Sequence, residues 1–203
     1  MNTYYQLLSQ MRCNGGTEYI SYVKDLVHNN VKEKVNFGTY EFKLIDNFRD
    51  FDEVYRKKLE TDSLTRMVAG YAWEWKSKGD SSAIDIVIDT VEKRWNSTLA
   101  NWVHSSKAID EVGCIHSTQG YDLDYGFVIL GNDIRYDKES KEIIVDKDSY
   151  FDRYGKIGAT DTQLKEFIQN VYYVLMTHGI KGTYVYVCDE DLRDYLAQYM
   201  DEW

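Results

Sequence analysis

The chain has 203 residues, of which 43% are hydrophobic and 29% charged; that suffices for one sizeable core or two small ones, with one decorated domain expected, and is a globular balance rather than a disordered one. No apolar run approaches the ~20 residues that span a bilayer and no signal-peptide pattern opens the chain, so no membrane partner and a cytoplasmic location are expected. The net charge of −10 weighs against a strong grip on DNA or RNA by this chain alone, which would ask for a basic face, without excluding a channel completed by another domain.

In chain order, 16–29 reads as a helix with Tyr19, Tyr22, Val23 and Leu26 on one face. A short strand over 41–45 is followed by a helix over 50–59, with Asp50 as its N-cap. RMVAGYAW, 66–73, is apolar and short, as a buried strand is. Between 77 and 95 the polar run KSKGDSS gives way to IDIVID, whose alternation marks a half-exposed strand of a hairpin. Segments 112–116 and 127–130 read as buried strands on either side of a Gly-containing turn. EIIVD, 142–146, follows the charged turn DKESK and pairs with 134–136 as a hairpin. From 161 to 177, Leu164, Phe167, Ile168, Val171, Tyr172 and Leu175 recur at helical spacing. TYVYVC, 183–188, is a strand, and Asp189 opens a final helix whose acidic DEDLRD start complements the helix dipole. Strands alternating with helices predict an α/β sheet covered on both faces. In such sheets ligands sit outside the carboxyl ends of strands, which directs attention to the chain after His116, after Leu130 and after 174–177.

GCIHSTQGYDLDYGFVILG, 113–131, gathers hydroxyls, an imidazole, an amide and an unhindered glycine backbone at one strand end. Such a group can hydrogen-bond phosphate oxygens, although spacing alone leaves a polar turn between strands as the plainer reading. Trp73, Trp75, Trp95 and Trp102 are of the type that stacks bases, but core and interface positions are their commoner use. Asp146, Asp148 and Asp152 read as a solvated loop before a metal site, since no second ligand set of defined spacing accompanies them. Cys13, Cys114 and Cys188 lie far apart with no CxxC pair, and read as reduced thiols.

The 113–131 segment resembles motif V of superfamily 1 helicases, and most closely the Schlafen group-3-like DNA/RNA helicase domain, whose motif reads IHxxQGYDLxY. The resemblance implies that Gly120 approaches the γ-phosphate through its backbone and that Asp122, in the place of the usual Glu, faces the ribose. It also implies that His116, Thr118 and Gln119 lie toward a DNA or RNA single strand and the domain interface. YQLLSQMRC, 5–13, is similar to motif IV, whose Gln–x–Arg implies nucleotide contacts from Gln10 and a catalytic arginine, Arg12, on the γ-phosphate; a guanidinium fork suits that task. NVYYVLMTHGIKGTYV, 170–185, resembles motif VI, which supplies a second arginine. Here that position is His178. A neutral imidazole of pKa about 6.5 is a poor substitute for a charged fork worth ~10³–10⁵ in rate, so hydrolysis is weakened unless Lys181 or Arg12 compensates.

The resemblance covers nearly the whole chain, and what it lacks is also informative. No G-x-x-x-x-G-K-[ST] loop is present, nor the Mg²⁺-binding Asp-Glu motif. The expectation is therefore one α/β, RecA-like domain over 1–203, with a mostly parallel sheet and a small β insertion around 77–97 and 132–150. It would be the C-terminal motor domain of an ATP-dependent helicase or translocase, whose ATP and Mg²⁺ sit against a separate N-terminal RecA-like domain with Walker A and B motifs. No cofactor is expected on this fragment alone. Two alternatives stand beside it: a stand-alone, degenerate RecA-like binding or regulatory module without catalysis, and a nuclease using scattered carboxylates.

Overall fold

A computed structural model of the protein describes residues 13–203. Helix α1 (Gly16–Val27) buries Tyr19, Tyr22, Val23 and Leu26 along one stripe, as its spacing predicts. Strand β1 (Glu41–Leu44) leads to helix α2 (Phe48–Thr61). Asn47, not Asp50, caps that helix: its side chain accepts from the Arg49 and Asp50 amides, so the helix begins one turn earlier than expected. Strand β2 (Arg66–Ala69) stops short of residue 73, because a tight turn from the Ala72 amide to the Gly70 carbonyl takes the chain out of the sheet. The hairpin of β3 (Ile86–Ile88) and β4 (Val91–Trp95) follows, then two 3-10 turns at Trp102–His104 and Ser106–Ile109.

Strand β5 (Glu111–Val112) precedes a one-turn helix, α3 (Ile115–Thr118), and the long strand β6 (Leu123–Leu130). Strands β7 (Ile134–Asp137) and β8 (Glu142–Val145) form the second expected hairpin. After the short α4 (Arg153–Lys156), helix α5 (Asp161–Met176) starts at a capping box in which Thr160 and Gln163 satisfy each other's amides. Strand β9 (Gly179–Val187), helix α6 (Glu190–Ala197) capped by Asp189, and strand β10 (Asp201–Glu202) complete the chain.

The central sheet is all parallel, in the order β10-β1-β9-β6-β2. It continues through a parallel bridge between Val68 and Gly113 to β5, which pairs with β4. This is the α/β, mostly parallel architecture expected of a RecA-like domain. Alternation along the strands builds two cores. Val68, Val128, Leu130, Val185 and Val187 face α1 and α5, whereas Met67, Phe127, Ile129, Tyr184 and Tyr186 face α2 and the β3–β4 hairpin. Phe127 stacks on Tyr184 with centroids 4.7 Å apart and meets Phe51 and Tyr55 edge-on. Its complete burial contributes roughly 2–3 kcal/mol.

Candidate functional site

The segment 113–122 leaves the sheet as a helical turn, correcting the strand expected over 112–116. The Ser117 hydroxyl accepts from the Cys114 amide at 2.8 Å and donates to the Cys114 carbonyl at 2.9 Å, closing the turn on itself. The Thr118 hydroxyl lies 3.3 Å from the Cys114 and Ile115 carbonyls. Both hydroxyls are buried, so neither is presented outward. His116, Gln119, Gly120 and Asp122, by contrast, are exposed. Gly120 has φ +85, in the left-handed region, and a Cβ there would find no heavy atom within 4 Å. Its backbone is open to close approach.

The turn delivers the chain to the amino end of β6, next to the amino end of β9. The Leu123 amide donates to the His178 carbonyl at 3.2 Å. A bulge fixes this junction: Leu123 is in register with Gly179 but Tyr125 with Gly182. The bulge needs glycine, since a Cβ on Gly179 would lie 2.1 Å from the Gly182 carbonyl oxygen. The Asn14 amide joins the same edge by donating to the Ile180 carbonyl at 2.9 Å.

The His178 ring is buried, and its Nδ1 stands 2.6 Å from the Val174 carbonyl oxygen in the last turn of α5. Lys181 lies between two carboxylates, 2.5 Å from Asp62 and 3.0 Å from Asp124. The hydrogen bonds that the Lys181 ammonium donates to those two carboxylates raise its pKa, and the bond from Lys181 lowers that of Asp62. Asp124 also accepts from the Leu64 amide at 3.1 Å.

Gly120, Asp122, His178 and Lys181 therefore converge on one edge, with His116, Thr118 and Gln119 in the turn that leads to it. That edge is the amino one of β6 and β9, not the carboxyl ends to which general α/β rules point. Gln10 and Arg12 lie outside the described residues. The Asp62–Lys181–Asp124 cluster was not anticipated, because its members are up to 119 positions apart and nothing local marks them. A second polar group escaped the sequence reading at the carboxyl end of β6. There the buried Asp133 accepts from the Tyr172 hydroxyl at 2.5 Å, and that hydroxyl accepts from the Gly131 amide at 3.0 Å.

Of the tryptophans, Trp95 and Trp102 are core residues, whereas Trp73 and Trp75 are half-buried. Asp146 is engaged by Arg135 at 3.0 Å and by Ser149, and Asp152 caps α4. Among the described residues no group of three His, Cys, Asp or Glu side chains could hold a metal ion, and no helix is long and apolar enough to cross a membrane.

Comparison with known proteins gives these features a family. Over 168 residues the chain is 30% identical to the uncharacterized protein YPL245W of Saccharomyces cerevisiae (strain ATCC 204508 / S288c), a match covering 78% of this chain and 37% of that protein. The chain thus spans little more than a third of that relative's length. No solved structure matches it. The family model described as Schlafen group 3, DNA/RNA helicase domain, matches residues 1–189; the chain belongs to this helicase-domain family.

Proposed function

We propose that the chain is the C-terminal motor domain of an ATP-dependent DNA or RNA helicase or translocase. ATP and Mg²⁺ would be held between its amino edge and a separate Walker-type domain. The observation that carries this reading is the bond between the Leu123 amide and the His178 carbonyl. It sets the 119–122 loop beside 178–181, so that two segments offset by 59 positions in the chain share one edge. The open backbone of Gly120 fits close approach of a phosphate, and the exposed Asp122 carboxylate fits a ribose hydroxyl. His116 and Gln119 present polar groups to a passing strand, while the inward hydroxyl of Thr118 holds the shape of the turn. Gln10 and Arg12 complete the nucleotide contacts on this reading, with Arg12 as the cationic finger. When bound, the nucleotide and its metal supply the phosphoryl chemistry; the chain's own residues position and neutralise.

One alternative has specific support. His178 is buried and Lys181 is held by two carboxylates, which favours a binding or regulatory module without hydrolysis. The deciding experiment starts from the protein at its native length in source cells, sized by immunoblot and then purified. ATP hydrolysis is measured with and without single-stranded DNA and RNA, for the native sequence and for Arg12→Ala. Strand-stimulated hydrolysis that falls at least about a hundredfold in the variant supports the motor. No hydrolysis, or hydrolysis indifferent to Arg12, leaves the binding module.

A further inference from the structure

The β3–β4 hairpin, helix α2 and the 3-10 turn at Ser106–Ile109 enclose a groove of about 550 Å³. Five cationic side chains line it against three carboxylates, a positive surplus in a chain of net charge −10. Two of the cations are engaged internally: Lys93 with Asp52 at 2.5 Å, and Arg56 with Asp52 and Asp110. Arg94 is held in place by the Ala83 and Ser82 carbonyls. Lys78 and Lys107 are exposed and are in no ion pair among the described residues. Of the acids, Glu111 is turned inward, accepting from the Ser97 amide and the Trp102 indole.

The wall of the groove carries two polar atoms without partners: the indole N–H of Trp95 and the amide oxygen of Asn96. Both residues are 1% exposed or less. Beside them stands the half-buried Trp75, with the Lys78 ammonium 5.6 Å from its ring centroid. Successive ring contacts connect this end to the motif turn. Trp75 meets Trp95 at 6.3 Å, Trp95 meets Tyr71 at 6.0 Å, and Tyr71 meets the exposed His116 at 6.1 Å. A half-buried stacking ring flanked by cations in no ion pair, and joined through the buried Trp95 and the half-buried Tyr71 to the exposed ring of His116, is what a single strand asks for.

We infer that this groove is a second contact for single-stranded nucleic acid, with a base on Trp75 and phosphates on Lys78, Arg94 and Lys107. It rests on the helicase reading for its ligand but not on ATP hydrolysis, and its lining includes none of His116, Thr118 and Gln119. An acidic peptide would satisfy the cations but not the stacking ring.

The test is fluorescence anisotropy of the 203-residue chain with a labelled oligothymidylate, across a salt series. Three variants are compared with the parent: Lys78→Glu with Lys107→Glu, Trp75→Ala, and His116→Ala with Gln119→Ala. Circular dichroism verifies that each is folded; the two lysines are exposed, so their variant is the least exposed to a folding artefact. The charge reversal is expected to weaken binding at least tenfold and to flatten the log–log salt slope by about 1.4, since each phosphate contact contributes about 0.7 for single strands. Trp75→Ala is expected to weaken it at least about fivefold, and polyglutamate should fail to displace the oligonucleotide. No binding by the parent chain, parent-like binding by either groove variant, or ready displacement by polyglutamate overturns the inference. Loss confined to the His116/Gln119 variant overturns the groove alone and leaves the motor reading standing. Conversely, failure of ATP hydrolysis removes the motor and not the groove.

Discussion

Replacing Asp133 with asparagine should change the pH dependence of stability more than stability itself. Asp133 is fully buried; one carboxyl oxygen takes the Tyr172 hydroxyl and the other has no partner. Burial is the largest influence and pushes the carboxyl up to about 7, with the bond from Tyr172 opposing and the charge of Asp146 adding to the rise. In the unfolded chain the same group releases its proton near 3.8. Between those values the folded protein holds a proton that the unfolded chain has lost, so stability falls as pH rises and levels off above the folded pKa. A rise of about three units corresponds to roughly 4 kcal/mol lost between pH 4 and pH 8. The asparagine cannot ionise. Its amide adds unmet donors costing about 1–3 kcal/mol at every pH, a constant offset. Urea unfolding of both proteins from pH 4 to pH 8 should therefore show the difference moving toward the variant by up to about 4 kcal/mol, or roughly 8–16 °C in Tm for a domain of this size. Parallel profiles would refute the assignment of the buried proton to Asp133.

Three further outcomes follow from the geometry of the sheet. Gly179→Ala drives a Cβ to 2.1 Å from the Gly182 carbonyl oxygen and should cost at least about 3 kcal/mol; a wild-type urea midpoint would mean the bulge is not rigid. Glu41 accepts from Lys58 at 2.8 and 2.9 Å, from Tyr125 at 2.8 Å and from Tyr184. Burial alone would raise its pKa, but these bonds outweigh it and hold the carboxyl below its usual range. Glu41→Gln should therefore cost about 1–2 kcal/mol at pH 7, moderated by partial exposure, and the deficit should shrink as pH falls through the carboxylate range; a deficit independent of pH would argue against the charge. Lys181→Ala should leave the melting temperature nearly unchanged, because exposed pairs contribute little, while Asp62 titrates at higher pH by NMR. An unmoved Asp62 would refute the pairing.

Much of this fold is legible in the sequence where one periodicity dominates. The helical recurrence from Leu164 to Leu175, the apolar run ending at Leu130 and the turn DKESK each specify their element without help from distant residues. The failures occur where one side chain's local bond overrides an apolar pattern. CIHST carries apolar residues that suggest a strand, yet the Ser117 hydroxyl captures both backbone groups of Cys114 and bends the chain into a helical turn. Asn47 displaced Asp50 as a cap for a similar reason: both are competent, and the one immediately before the apolar Phe48 wins. The candidate site was legible as a set of residues but not as a place. Motif order cannot reveal that 119–122 precedes β6 while 178–181 opens β9, so that the two meet at the amino edge, because that depends on how far α3 carries the chain back along β6.

The electrostatics of that edge bear on which half of a motor this chain could be. Asp62, Asp122 and Asp124 gather there, and Lys181 is held by two of them. A triphosphate approaching the described residues would meet carboxylates first, and the buried His178 presents no charged fork to offset them. On the proposed reading, cationic charge must then come from elsewhere: from Arg12, from the magnesium ion, and from the lysine of a Walker loop on the facing domain. The same arrangement serves a purpose in the absence of nucleotide. On that reading, with Lys181 neutralised by Asp62 and Asp124, this edge itself offers little attraction for stray phosphates until a facing domain closes on it. Gly120 sits at φ +85, so a side chain there strains the turn on either reading, but only the motor asks its unobstructed backbone to meet a phosphate. Gly120→Ala therefore separates the two readings at their root. The strain is common to both, but on a motor it weakens ATP binding by the native-length protein, whereas on a module that holds no nucleotide there is no ATP binding to lose.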